Sequence, residues 1–198
     1  NVTINKHYMI ITQTELPEVF VIKNIALSDN RGWFMESFKI DLIQESLGRE
    51  ITFCQDNIVK SNFGVLRGLH FQEPPYAQSK LISVVEGIIL DVIVDIRKGS
   101  PTFGKHISIE LSNENKKQVF IPRGFAHGYI CLSKFSLVTY KVDNNYNKTA
   151  EAGIAFNDPN LGINWQLPNN KIILSEKDKS LPFIDEAKSF DYNQSLYE

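Results

Sequence analysis

The chain has 198 residues, of which 42% are hydrophobic and 22% charged, and this is the size and composition of a single globular domain. The formal net charge of −2 argues against nucleic acid as a partner, and no apolar run reaches the length of a membrane span. The first residues show no secretory signal. Because the chain starts at Asn1, the segment before Met9 is expected to include non-native or flexible residues.

The first part of the chain alternates strand-like runs with turns. Its predicted elements are a strand at 19–23, a turn at 29–32, a strand at 33–38, a helix over 40–47 and an extended segment at 51–55. The helix is predicted from the spacing of its apolar residues, and Gly48 is its expected C-terminal stop.

The middle of the chain has the clearest β pattern. Its predicted strands are 80–85, 88–97, 106–111, 119–121, 125–132 and 135–142. In the second of these, the apolar residues at 90, 92, 94 and 96 share one face, while Asp91 and Asp95 lie on the other. After Pro159 we expect short helices and loops. This order of elements predicts a mainly β, antiparallel barrel or sandwich.

The motifs of the common nucleotide and metal sites are missing. Neither GxGxxG nor GxxxxGK[ST] occurs, so a glycine loop that cradles phosphates is not expected. A cupin-type metal site usually has a His-x-His pair, but the histidine that follows His70 is His106. We therefore expect no metal. His106 and His7 are interpreted as surface residues.

The most informative feature is Arg67-Gly68-Leu69-His70, followed by Lys80 on a strand-like run. A histidine near neutral pKa can take a proton from carbon. Cations beside it can hold the negative charge that then develops on oxygen. The combination points to proton abstraction next to a carbonyl, although a lone histidine after a turn can equally be structural.

Other polar residues allow two interpretations each. Gly124-Phe125-Ala126-His127-Gly128 indicates either close backbone or ligand approach or a buried, hydrogen-bonded histidine. Tyr140 can pack with its hydroxyl at a rim or act as a general acid. Asp91 and Asp95 are interpreted as hydrogen-bonded to backbone or to Arg97 rather than as a catalytic pair.

The two cysteines lie far apart in apolar, strand-like contexts. Neither Cys54 nor Cys131 has a CxxC partner, and one distant pair is no disulfide framework. We interpret both as buried free thiols in a reducing compartment.

A series of short stretches covers most of the chain. They are DNRGWFMESF at 29–38, FCQDN at 53–57, VLRGLHFQ at 65–72, QSKL at 78–81, DVIVDIR at 91–97, SPTFG at 100–104, IPRGFAHG at 121–128, Tyr140-Lys141 and Asn157-Asp158-Pro159. All occur in the order and at the spacing of the dTDP-4-dehydrorhamnose 3,5-epimerase family, which the chain resembles over about residues 19–182.

The resemblance implies one domain over residues 1–198, a cupin-like antiparallel β jelly roll with a few short helices. It also implies a cytoplasmic homodimer that works without a metal or other cofactor and without nucleic-acid or membrane partners. The implied substrate is a nucleotide-diphosphate sugar linked to dTDP or GDP, used in surface-polysaccharide synthesis.

The resemblance also implies roles for individual residues. His70 would be the general base, oriented by Asp178, and Tyr140 the acid that reprotonates carbon from the other face. Lys80, with Arg67 nearby, would stabilise the enolate oxygen at C4. The remaining positions would hold the nucleotide diphosphate (Arg31, Glu36, Gln55, Asn57 and Arg67) or line the sugar pocket (His127 and Tyr146).

The predicted function is cofactor-independent epimerisation of a nucleotide-linked 4-keto sugar at C3, C5 or both. A nucleotide-sugar 3,4-ketoisomerase of the same fold is an alternative, as is a catalytically inactive sugar-nucleotide binding module, against which the intact catalytic set argues. Arg123, Tyr129 and the loop at 73–77 depart from the family pattern, so the nucleotide and the sugar stay open.

Overall fold

The structure, a computed structural model, describes residues 3–6 and 8–197. In chain order its strands are β1 (Thr3–Lys6), β2 (Met9–Gln13), β3 (Phe20–Asn24), β4 (Ala26–Asp29), β5 (Gly32–Met35), β6 (Gln55–Asn62), β7 (Leu66–Gln72), β8 (Lys80–Glu86), β9 (Ile88–Asp95), β10 (Arg97–Lys98), β11 (His106–Ser112), β12 (Lys117–Ile121), β13 (Phe125–Cys131), β14 (Phe135–Val142), β15 (Glu151–Gly153) and β16 (Phe190–Asp191). One helix, α1 (Ile40–Leu47), and two 3₁₀ turns (Asn169–Lys171 and Asp178–Ser180) complete the described elements.

Two antiparallel sheets form the body of the molecule. A seven-stranded sheet has the order β1-β2-β3-β12-β8-β14-β6, and a five-stranded sheet has the order β11-β9-β13-β7-β15. The hairpin β4–β5 and the parallel pair β10–β16 are separate. The predicted mainly β, antiparallel jelly roll is confirmed.

The core lies in three layers. Between the sheets, apolar residues of both pack into one cluster, which includes Ile82, Ile93, Phe125 and Val138. Outside the five-stranded sheet, the even-numbered apolar residues of β9 pack against the C-terminal segment. Outside the seven-stranded sheet, α1 buries Leu42 and Ile43. Because β9 is covered on both faces, its apolar run is nearly continuous.

Local predictions are confirmed where they depend on residues with a clear preference for turns or helix ends. Helix α1 ends at Leu47, and Gly48 adopts φ 65°, the left-handed conformation that favours glycine. The strand expected at 33–38 ends at Met35, and most of the extended segment at 51–55 is irregular. The C-terminal region after Pro159 contains the expected 3₁₀ turns and loops, and also the short strand β16, which was not predicted.

The interpretations of two individual residues change. Cys54 is exposed, because it lies in the irregular segment that precedes β6, whereas Cys131 is buried; both are free thiols. His106 is half-buried rather than on the surface, and burial lowers its pKa. His7 lies outside the described residues.

Among the described residues, no helix combines the length and the apolar character that crossing a membrane requires.

Candidate active site

A cavity of about 450 Å³ opens between the two sheets. Polar side chains from both sheets and from the C-terminal segment line it together with aliphatic ones. The polar and aromatic members are Arg67, His70, Lys80, His127, Tyr129, Tyr140, Glu151, Ser175, Lys177 and Asp178. The fold therefore gathers six of the predicted site residues, including all four predicted catalytic ones, around one space.

An irregularity in β7 places Arg67 and His70 on the same side. Residues three apart in a regular strand point to opposite faces. Here His127 of β13 pairs with His70, and Tyr129 pairs with Arg67, so β7 has one extra residue. Gly68 and Gly128 lie within it, and a Cβ at Gly128 would be 2.7 Å from the Arg67 carbonyl oxygen. The predicted close backbone approach at this glycine is confirmed, and His70 lies within a strand rather than after a turn.

His70 pairs with a carboxylate from a distant part of the chain. Its Nε2 is 2.6 Å from Oδ1 of Asp178, and Asp178 is almost completely buried. Burial alone would raise the pKa of Asp178, but the bonds from His70 and Ser175 hold that pKa below its ordinary value. Because an ionised carboxylate only accepts, Nε2 of a neutral His70 donates to it, and Nδ1 is left as the basic nitrogen.

Lys80 lies at the start of β8 on the opposite sheet. Burial lowers the pKa of Lys80 to about 8, although the charges of Asp91 and Glu151 favour its ammonium form. At neutral pH the side chain is therefore predominantly cationic. A cation in a confined cavity can stabilise an anion far better than one in bulk water.

Tyr140 also comes from the seven-stranded sheet, where it pairs with Ile82 of β8. Burial raises the pKa of Tyr140, Arg67 opposes this shift and Glu151 adds to it, so the phenol is protonated at neutral pH.

Arg67 is held by Ser61, which accepts a hydrogen bond from its Nε at 3.0 Å. Ser61 also bonds to the Tyr129 hydroxyl at 2.9 Å.

His127 forms a second histidine–carboxylate pair. Its Nε2 is 2.8 Å from Oδ2 of Asp91, and both residues are buried. Asp91 therefore bonds to His127 rather than to backbone or Arg97, since it faces the cavity side of β9. Asp95, in contrast, binds Arg97 as expected, with Oδ2 2.7 Å from the guanidinium.

The cavity rim contains two charged residues that the sequence did not single out. Glu151 accepts from Lys177 at 2.6 Å and from the Tyr146 hydroxyl at 3.1 Å. Burial favours a higher pKa for Glu151, but Lys177 and these bonds lower it overall. The pairing of β15 with β7 carries Glu151 beside His70. Lys177 had one usable signal, its position next to Asp178.

The remaining predicted residues lie at the rim or away from the cavity. Gln55 and Asn57 share the half-buried face of β6 with Val59, which lines the cavity, and they bond to each other at 2.9 Å. Gln55 also accepts from the Tyr146 backbone N–H at 3.3 Å. Arg31 and Glu36 lie outside the cavity: Arg31 is exposed in the β4–β5 turn, and Glu36 follows β5.

Within residues 3–6 and 8–197, no group of three or more His, Cys, Asp or Glu side chains is arranged so that it could hold a metal ion. The cavity is lined by two histidines that are each paired with a carboxylate, by tyrosines and by cationic side chains. His70, paired with Asp178, lines one side of this space, and Lys80 and Tyr140 come from the other sheet. This arrangement can move protons to and from a carbon while charge develops on an oxygen.

Comparison with known proteins agrees with this geometry. The sequence model of dTDP-4-dehydrorhamnose 3,5-epimerase matches residues 13–186. The chain belongs to the dTDP-4-dehydrorhamnose 3,5-epimerase family. A family member from Shigella flexneri is 48% identical over 178 residues, which cover 89% of this chain and 97% of the relative.

Solved structures of epimerases share the fold. The dTDP-6-deoxy-D-glucose-3,5-epimerase of Legionella pneumophila, in complex with dTDP-4-keto-L-rhamnose, has a TM-score of 0.90 and 40% identity, covering 94% of this chain and all 100% of that one. A 3'-monoepimerase from Streptomyces bikiniensis, in complex with dTDP-quinovose, has a TM-score of 0.81 and 29% identity, covering 87% of this chain and 86% of that one.

Proposed function

We propose that the protein epimerises a nucleotide-diphosphate-linked 4-keto sugar through an enolate. The observation that carries this proposal is the His70–Asp178 pair on one side of the cavity, with Lys80 and Tyr140 supplied by the other sheet. A sugar ring bound between the sheets has a base at one face and an acid at the other. Inversion of a carbon requires the base and the acid to lie on opposite faces of the ring.

The reaction divides into two proton transfers. Nδ1 of His70 takes the proton from a carbon next to the C4 ketone, and the electron pair of the C–H bond moves onto the C4 oxygen. The Lys80 ammonium stabilises this oxygen, because an α proton is too weakly acidic for imidazole unless the enolate is stabilised. Tyr140 then donates its proton to the opposite face of the carbon as the carbonyl re-forms. Exchange with water restores both residues.

The relatives favour a dTDP-linked substrate and inversion at both C3 and C5. The more similar relatives are 3,5-epimerases, with 48% and 40% identity, whereas the monoepimerase has 29%. Both carbons flank C4, so one base and one enolate-stabilising cation serve both in turn. The ketoisomerase is less favoured because it needs no acid on the opposite face.

The rim residues suit the rest of the substrate. Arg67 offers a guanidinium to a phosphate, which Arg binds in a bidentate manner. Gln55 and Asn57 extend the same wall outward, and we assign them to the nucleotide. His127, within the cavity, and Tyr146, whose hydroxyl donates to the cavity-lining Glu151, would contact the sugar.

We further propose that the active form is a homodimer. Arg31 and Glu36 lie outside their own cavity, so their implied contact with the nucleotide requires the hairpin of a second copy. The exposed apolar side chains nearby support this: Trp33 is 59% exposed, Phe34 65% and Ile58 72%. Mixing Arg31→Ala with His70→Asn subunits should restore activity, since one site of each mixed dimer would be intact.

The deciding experiment is solvent exchange. The protein is incubated in D₂O with dTDP- and GDP-linked 4-keto-6-deoxy sugars, and deuterium at C3 and C5 is followed by NMR. Incorporation at both carbons supports the proposal in full, and incorporation at one identifies a monoepimerase. A ketone that moves to C3 would identify a ketoisomerase. A substrate that binds without exchange would identify an inactive binding module.

A further inference from the structure

The ends of three neighbouring strands meet at Lys80. Lys80 is the first residue of β8 and pairs with Ile121, the last residue of β12, and Val142, the last of β14. The residues just beyond these ends join one residue of the C-terminal tail in a hydrogen-bonded network, here called the strand-end cluster: Ser79, Arg123, Asp143 and Tyr197.

Each strand end is tied to another through this cluster. The Ser79 backbone N–H donates to Oδ1 of Asp143 at 2.6 Å, and Nε of Arg123 donates to Oδ2 at 3.0 Å. The Tyr197 hydroxyl accepts from the Arg123 backbone N–H at 3.0 Å and shares a hydrogen bond of 2.8 Å with Ser79 Oγ. Ser79 is completely buried, so these bonds are shielded from water.

The tail is held firmly in this position. The guanidinium carbons of Arg49 and Arg123 lie 4.3 Å and 4.8 Å from the centre of the Tyr197 ring. Arg123 also donates to the Leu196 carbonyl at 2.6 Å. Burial raises the pKa of Tyr197, so its hydroxyl keeps its proton at neutral pH. This segment lies beyond the matched residues 13–186.

We propose that Tyr197 is a positioning residue for Lys80: its hydroxyl locks the ends of β8 and β12 together and thereby fixes the backbone from which the Lys80 side chain enters the cavity. Lys80 pairs with both neighbouring strands, but it is the first residue of β8, so this pairing does not fix the chain that leads into it. Ser79, the residue before Lys80, is instead held through both its backbone and its hydroxyl. The catalytic consequence rests on the proposed function, since it assumes that Lys80 must meet the enolate oxygen accurately.

The test variant is Tyr197→Phe, which keeps the ring between the two arginines and removes only the hydroxyl. We expect kcat to fall about tenfold with KM changed less than about twofold, because a misplaced cation affects the transition state more than substrate binding. Ser79→Ala should have the same effect, and the double variant should lose no more than either single one. Tyr192→Phe, in the same tail, is the matched control and should keep wild-type kcat.

A second readout needs no substrate. Competitive labelling of the Lys80 amine with acetic anhydride, followed by mass spectrometry across pH, reports its ionisation, with an expected midpoint of about 8 in the wild type. In Tyr197→Phe the midpoint should move towards the ordinary 10.5, since a loosened strand end admits water. The variant leaves in place the carboxylate of Asp91, which acts on Lys80 through its charge, and the charged and titratable groups that line the same cavity: Arg67, His70, His127, Tyr129, Tyr140, Glu151, Lys177 and Asp178.

The outcomes separate the two proposals. Unchanged kcat and an unchanged labelling profile would overturn the positioning role of Tyr197. A lower melting temperature with a wild-type labelling profile would also overturn it, because the hydroxyl would then be merely structural. If the wild-type protein exchanges no deuterium with any bound sugar, the proposed function fails, while the labelling profiles still decide whether Tyr197 positions Lys80.

Discussion

Replacing Asp178 with asparagine tests the pairing of the proposed base with its carboxylate. The two side chains are 2.6 Å apart, and Asp178 is only 4% exposed, so the change removes one buried charge without changing the shape of the side chain. When His70 takes a proton it becomes an imidazolium, and Asp178 is its partner. An asparagine can also present its NH₂ group to Nε2, which would leave the proton on Nδ1, the nitrogen proposed to act as the base.

The magnitude follows from the charge that is lost. Two unit charges about 4 Å apart attract each other by about 4 kcal/mol at an effective dielectric constant of 20. At 1.36 kcal/mol per factor of ten, losing most of this in the transition state slows proton abstraction by about 10²–10³-fold. Substrate affinity should stay within about threefold, since Asp178 acts through His70 rather than on the substrate.

The assay is the rate of deuterium incorporation into bound sugar, measured by NMR alongside Kd from calorimetry. Ser175→Ala is the control, because Ser175 accepts from the Asp178 backbone N–H at 3.1 Å and its loss loosens the same turn without removing the charge. The argument would be refuted if the Asp178→Asn variant kept more than about a tenth of the wild-type exchange rate. Equal losses of exchange rate in Asp178→Asn and Ser175→Ala would refute it as well.

Three further substitutions and one pH profile probe the other parts of the site. Tyr140→Phe should slow inversion more than exchange at the abstracted position, since abstraction does not need the acid; equal losses in both NMR rates would contradict its role. The exchange rate should decline as pH rises above about 8, where Lys80 loses its proton. Asp91→Asn should shift that decline to lower pH, because the Asp91 carboxylate favours the ammonium form; a shift to higher pH would contradict this electrostatic reasoning. Gly128→Ala should lower the free energy of unfolding in urea by about 1–3 kcal/mol, because its Cβ would lie 2.7 Å from the Arg67 carbonyl oxygen. An unchanged urea midpoint would contradict this and would show that the backbone of β7 can move away from the new methyl group.

Local signals predicted much of the fold. Helix α1 was predicted residue for residue because its apolar spacing and Gly48 act within a few positions of each other. The strands from β8 to β14 were recognisable because turn residues separate runs of β-branched and apolar side chains. Cys54 was placed wrongly, because its apolar neighbours suggested a buried strand where the chain is irregular.

The composition of the site was harder to predict from local signals. Arg67 and His70 have an odd separation, which in a regular strand would direct them apart. Only the register of β7 against β13 reveals the extra residue. Asp178 was suggested by family resemblance alone, since the pairing spans 108 positions. Glu151 gave no signal because its place beside His70 comes from strand pairing and not from its sequence neighbours.

The proposed catalytic residues differ in how tightly the fold holds them. Lys80 and Tyr140 lie in central strands of a sheet, where each is hydrogen-bonded to neighbours on both sides. Asp178 begins a 3₁₀ turn, and its segment is tied to the sheets by the bridge between Val65 and Ile173 and by the Lys177–Glu151 ion pair. Changes that loosen this segment should therefore misorient His70 while the sheets stay folded. In this segment around Asp178, substitutions distant from the cavity should impair proton abstraction before they impair enolate stabilisation.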